Sequence, residues 1–214
     1  MAHSSADETA RDADSSPQPD DEILLAGYRD AGDVAAFEML ISRYGKPVYN
    51  YLLRFLGNTN LAEEAFQRTF IRVSEKSHLC AENRRFRPWL YSIATHQAID
   101  VLRREGKHQA VSLSDEQIVH DADVKSLQDL LESHVRSPLE QLEDAERRDW
   151  TRRAVDSLPA DLRIVVLLIY YQGLKYREVA EVLELPLGTV KSRSHKALLE
   201  LHRTWRRDNP EPKW

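Results

Sequence analysis

Cysteine, glycine, aromatic residues and long apolar runs are all scarce in this 214-residue chain. Cys80 is the single cysteine, which excludes an intramolecular disulfide and any cysteine-rich metal site. The longest unbroken apolar run, Ile164 to Tyr171, is eight residues. That is under half of the roughly 18 a membrane span needs, so no membrane insertion is expected. Met1 to Ala10 is polar and acidic, without the basic start and apolar core of a signal peptide, and a cytoplasmic location is expected. With only 7 glycines, 8% aromatics and 30% charged residues, the composition suits a soluble, mostly helical protein.

Signatures of catalysis are missing as well. The histidines at 3, 78, 96, 108, 120, 134, 195 and 202 include no pair at zinc-site spacing with acidic or cysteine companions. His195 and His202 stand seven apart, two helical turns, too far for a shared metal. There is no Gly-rich phosphate loop, no G-x-S-x-G and no H-E-x-x-H. Glu63 and Glu64 are adjacent and so diverge around a helix. The expectation is a non-enzyme with no catalytic residue, no metal and no cofactor.

What the chain does have is charge of unequal sign along its length. Its net charge is -5, yet residues 1–22 sum to -6, residues 109–146 to -8 and residues 147–207 to +6. The last third therefore carries the footprint of a polyanion binder.

The organisation expected is all-α, two small helical domains joined by an acidic linker. Residues 1–20 hold hardly a large apolar side chain and are expected to be disordered. Residues 21–105 read as the first domain. Phe37, Ile41, Tyr44, Val48, Leu52 and Phe55 form a stripe at spacings of three and four, which Pro47 should kink or split. Gly57-Asn58 reads as a helix stop, Leu61 to Lys76 as the next helix, and Ser77 to Arg87 as a loop. Pro88 suits a helix start, with Leu90, Ala94, Ala98 and Val101 inward. Residues 106–138 form the acidic linker. A second domain over 139–207 should have helices near 139–157, 160–171 (stopped by Gly173), 175–183 and 187–206, and residues 208–214 are a tail.

Three stretches carry function. In "LKYREVAEVLELPLGTVKSRSHKALLELH", Val179, Ala180 and Leu183 give a first short helix its apolar side, and Val190, Ala197 and Leu198 do the same for a second. Thr189, Lys191, Ser192, Arg193, His195 and Lys196 are left largely outward, early in the second helix, where a recognition helix meets base edges and phosphates. The alternative is a helical hairpin with a solvated charged face. In "RRFRPWLYSIATHQAIDVLRRE", arginines 84, 85, 87, 103 and 104 bracket Phe86, Trp89 and Tyr91, a mixture suited to unpaired bases. A core helix with snorkelling arginines is the alternative, and for Trp89 itself packing is preferred. In "NLAEEAFQRTFIRVSEK", Glu63, Glu64 and Gln67 project away from an inward set of Leu61, Ala65, Phe66, Phe70 and Val73, and a solvated face is the simpler account.

Taken in order, these stretches resemble the extracytoplasmic-function (ECF) sigma factors, two-domain promoter-specificity subunits of bacterial RNA polymerase, over about residues 21–207. "LAEEAFQRTFIRV" is similar to the family's region 2.2, "FRPWLYSIATHQAIDVLRR" to regions 2.3 and 2.4, and "LPADLRIVVLLIYYQGLKYREVAEVLELPLGTVKSRSHKAL" to region 4. The resemblance implies that Glu63, Glu64 and Gln67 dock on the clamp helices of the largest polymerase subunit. It implies that the loop over 77–87, with Asn83, Arg84, Arg85, Phe86 and Arg87, takes a flipped base of the minus-ten element, and that Arg103 and Arg104 lie along the melted strand. It further implies that Thr189, Lys191, Ser192, Arg193, His195 and Lys196 read the minus-thirty-five element, with Arg193 bidentate to guanine. Implied partners are core RNA polymerase, including the flap of its second-largest subunit, promoter DNA and an anti-sigma protein. Arg68, Ser74 and Glu184 depart from the usual pattern; Glu184 stands at a turn position that is often glycine, where a positive φ would be strained. A stand-alone helix-turn-helix regulator is the main rival, and it has no need of the basic-aromatic stretch at 84–104.

Overall fold

A computed structural model of the chain describes residues 19–80, 85–106 and 149–208. Most of the expected tail at 1–20, Asn83 and Arg84, most of the acidic linker and all but the first residue of the C-terminal tail lie outside the described residues, as does the expected domain start near Leu139.

Among the described residues there is no strand. The first group holds α1 (Asp21–Ala31), α2 (Val34–Leu56), α3 (Thr59–Lys76), a 3₁₀ turn (Ser77–Leu79) and α4 (Phe86–Arg104). The second holds α5 (149–157), α6 (Ala160–Val166) with a π-helical extension (Leu167–Tyr171), α7 (Tyr176–Leu183) and α8 (Leu187–Asp208).

Local chemistry sets the helix ends. Asp33 accepts from the Ala36 N–H at 3.2 Å and Asn58 from the Leu61 N–H at 3.1 Å, each satisfying an orphan donor of a first turn. Gly57 closes α2 in the left-handed region, φ 64°, as the Gly-Asn pair implied. The stripe from Phe37 to Phe55 is one face of one helix: Tyr44, Val48, Leu52 and Phe55 are buried, with Phe37 and Ile41 packed against them. Pro47 lies inside α2 without splitting it, contrary to one of the two expected outcomes.

The start of α4 falls two residues before Pro88, at Phe86, and it is capped from a distance. The Glu22 carboxylate of α1 accepts the Phe86 N–H at 3.1 Å. An acid counted only in the net negative charge of residues 1–22 thus sits on the positive end of a helix dipole. α4 in turn packs on α1, α2 and α3. Leu90, Ala94, Ala98 and Val101 are buried as expected.

In the second group α6 and α7 both pack on α8. The apolar run at 164–171 does not end as an α-helix. The Gln172 N–H donates to the Leu167 carbonyl at 3.0 Å, a π-type turn, before Gly173 reverses the chain at φ 62°. The two groups are in contact: α4 meets α7, and α2 meets α6 and the π turn. Their buried side chains run together into one cluster.

Candidate nucleic-acid and polymerase interface

The pair α7 and α8 forms a tight helical corner. Glu184 makes the turn at φ 54° and ψ 41°, so the left-handed geometry that favours glycine is borne by a glutamate. The Leu185 N–H donates to the Ala180 carbonyl at 3.0 Å and closes α7. Val179, Leu183, Val190, Ala197 and Leu198 fill the angle between the helices.

This packing sorts the six residues expected to face a duplex. Lys191 and Lys196 are exposed, and Ser192 and His195 are half-buried on the adjoining surface. Thr189, 8% exposed, and Arg193, 6% exposed, are turned inward. Arg193 Nε stands 3.9 Å from Asp161 Oδ2 of α6. Their expected outward placement is corrected by this burial: two helical turns of α8 cannot all face outward while one side packs on α6 and α7. Arg193 has the chemistry of a guanine reader and the position of a helix tie.

The basic-aromatic stretch divides in the same way. Phe86 and Tyr91 have no exposed surface and Trp89 is 5% exposed. Phe86 packs edge-on to Tyr44 at 5.4 Å, so its expected place in a base-capturing loop is corrected to a core position at the first turn of α4. Trp89 is core, as preferred. Arg85 and Arg87 are exposed at one end of α4, and Arg103 and Arg104 at the other, about 24 Å away at 1.5 Å per residue. Arg103 lies 3.5 Å from Asp100.

On α3, Glu63 and Gln67 are exposed. Glu64 is engaged: its Oε1 receives Arg68 Nη2 at 2.9 Å and Arg104 Nη1 at 2.8 Å. Arg68, the basic departure, therefore neutralises the neighbouring acid. Ser74, another departure, gains a partner in the Tyr28 hydroxyl at 2.6 Å.

Burial shapes the tyrosines beneath this surface. Burial is the main cause that lifts the Tyr91 phenol to about 12, the Arg87 charge acting against it. Tyr51, hydrogen-bonded to Thr95 at 2.7 Å, is also pushed well above its ordinary value by burial. Both are neutral over the physiological range.

Comparison with known proteins matches residues 40–108 to the "Sigma-70 region 2" family and residues 148–201 to "Sigma-70, region 4". Over 188 residues, 86% of this chain and 68% of its relative, it is 31% identical to the ECF RNA polymerase sigma factor SigE of Mycolicibacterium smegmatis. The chain belongs to the ECF sigma factors. This sigma factor is also 32% identical to SigW of Bacillus subtilis over 77% of its own length and 86% of that protein's. In fold it resembles CnrH, solved with the cytosolic domain of CnrY, at TM-score 0.60 and 22% identity, covering 88% of this chain and 99% of the other. RpoE of Bartonella quintana, solved with the anti-sigma factor NepR, matches at TM-score 0.57 and 19% identity over 81% and 98% of the two chains. The sigma factor is all-α and two-domain, and no described helix is long and apolar enough to cross a membrane.

Reasoning from the sequence missed the residues that join the two halves: Gln172, Glu178 and Glu184 against α4, and Arg54 against Tyr171. The available signal was a lone glutamine at the end of the longest apolar run, followed by glycine.

Proposed function

We propose that this sigma factor binds core RNA polymerase through α3 and directs it to promoters with separate minus-ten and minus-thirty-five elements. Residues 21–105 act as region 2, residues 139–207 as region 4, and residues 106–138 as the linker. The observation that carries the reading is the order of the two family matches along the chain, each falling on a helical group with exposed cations where nucleic acid would lie.

In region 4, Lys191, Ser192, His195 and Lys196 present the duplex-facing surface of α8, and Thr189 and Arg193 hold that helix in place. In region 2, the cations at the two ends of α4 follow the phosphates of an unpaired strand, with Asn83 and Arg84 entering from the preceding loop. Flipping a base costs a few kcal/mol of unstacking, which phosphate contacts and a preformed pocket offset. Glu63 and Gln67, with Glu64 beside them, meet the clamp helices, and region 4 meets the flap. The chemistry of strand synthesis stays with the polymerase; the sigma factor needs no catalytic residue, metal or cofactor of its own. It acts in the cytoplasm with the polymerase, and an anti-sigma protein, as bound by the Bartonella quintana relative, holds it in reserve.

Run-off transcription on a genomic promoter library, with core polymerase from the source bacterium, tests this. New starts at a common two-element motif only in the presence of the protein are expected. Failure to associate with core would sink the reading.

A further inference from the structure

Arg54 of α2 is a largely buried cation that finds no hydrogen bond among the described residues. Its side chain is 19% exposed, and its Nε and Nη2 are closed off from water with no acceptor in reach. The guanidinium lies 4.1 Å over the Tyr171 ring. The carboxylate that faces it, Asp156 of α5, stands at 3.7 Å, too far for a hydrogen bond. Asp156 also serves a second guanidinium. Arg163 Nη1 donates to its backbone carbonyl at 2.6 Å, and the Asp156 charge opposes the burial that holds Arg163 below its ordinary value. Buried donors left unmet are rare in folded proteins, and an ion or ligand that supplies the acceptor is one of the few physical reasons for them.

Arg54 borders a cavity of about 550 Å³ between α2, α5 and the π turn. That volume lies in the range of small-molecule sites. Pro47, Leu53 and Leu167 give it an apolar wall beside the Tyr171 ring. The polar groups around it are donors: Arg54, the exposed Arg152 of α5, and the amides of Asn50 and Gln172. Gln172 Oε1 already accepts from the Tyr91 hydroxyl, so this side chain has its N–H groups left to offer. Among the described residues no acid lines the cavity. Two guanidiniums without a carboxylate suit a doubly charged anion, and the planar fork of each matches phosphate oxygens. The apolar wall suits a ligand with a hydrocarbon or ring body rather than a bare ion.

We infer that this cavity is a binding site for a small organic phosphate monoester. Arg54 and Arg152 hold the phosphate, Asn50 and Gln172 add amide donors, and the body of the ligand lies against Pro47, Leu53 and Leu167. The bound anion supplies the acceptors that Arg54 lacks. Asp156 opposes it and limits its affinity. The site goes beyond promoter recognition and does not rest on it, since none of these residues belongs to the surfaces assigned to polymerase or DNA.

The test is calorimetric titration of the full chain at pH 8 with phenyl phosphate, which is a dianion there because the second phosphate pKa is about 6. Saturable one-site binding is expected, with inorganic phosphate and benzoate each roughly tenfold weaker or worse. Arg54→Lys, which keeps the charge and loses the fork, should weaken phenyl phosphate on the order of tenfold. Arg152→Ala alters only the surface, should also weaken it, and covers a folding failure of the first variant. Asp156→Asn should tighten binding, and Lys76→Ala, an exposed cation outside the lining, should leave it unchanged. No saturable binding of phenyl phosphate overturns the site. Inorganic phosphate binding as tightly would mean an adventitious ion only, and benzoate binding as tightly overturns the phosphate class. Equal losses in Lys76→Ala and Arg152→Ala, or weaker binding in Asp156→Asn, overturn the assignment to this cavity.

Discussion

Arg193 and Lys191 are two residues apart on one helix and have opposite fates. The side of α8 that carries Arg193 packs against α6, where Asp161 meets it, while Lys191 is exposed. Arg193→Ala should therefore destabilise region 4 by about 1–3 kcal/mol in urea titration, because a buried charge-assisted contact is removed. Lys191→Ala should leave stability within about 0.5 kcal/mol and lower the salt dependence of promoter binding by about one phosphate contact. Loss of one base preference in Arg193→Ala without loss of stability would restore it as a reader. Glu184 gives a second residue-scale prediction. Its φ of 54° is costly for a side chain with a Cβ, and its partner His96 is exposed, so Glu184→Gly should raise the stability of region 4 by about 1 kcal/mol in thermal denaturation.

Among the elements, α4 is the most dependent on its neighbours. Nothing in its first turn supplies an acidic cap, and Arg85, at the N-cap, offers no side-chain acceptor. Glu22 of α1 fills that role across 64 positions of sequence. Glu22→Ala should cost about 1 kcal/mol of region 2 stability, and Glu22→Gln, which keeps an acceptor, should recover most of it. The periodicity of α2, α3 and α8 was readable because each buries one regular stripe. The uninterrupted course of α2 through Pro47 was not, since packing on α1 and α3 outweighs the one missing N–H. Nor was the π turn at 167–171 readable, because an all-apolar run gives no phase by which to count its turns.

For the whole molecule, the contact between regions links stability to alkali. Tyr91 is raised from its ordinary value near 10 to about 12, mainly by burial, so the neutral phenol is favoured in the folded state. Its contribution is fully present below pH 10 and is lost as pH rises through about 12. That loss is about 2–3 kcal/mol at the high end, and the phenolate can no longer donate to Gln172. Denaturant titrations at pH 8 and pH 12 should show a smaller difference for Tyr91→Phe than for the unaltered chain; equal differences would mean that Tyr91 does not report the junction.

By itself the sequence determined the helical class, the two-part division, the charge asymmetry and the family, because spacing of apolar side chains and net charge are properties of the chain order. The exposed half of the expected surface, Glu63, Gln67, Arg85, Arg87, Lys191 and Lys196, was legible for the same reason. Tertiary structure alone decided which cations remain available. Arg193 and Phe86 are drawn into cores, Glu64 is held by Arg104, and Gln172 is placed on Tyr91. Each of those outcomes depends on a partner on another helix, up to 81 residues away in sequence, brought within hydrogen-bond or packing distance only when the helices close on one another.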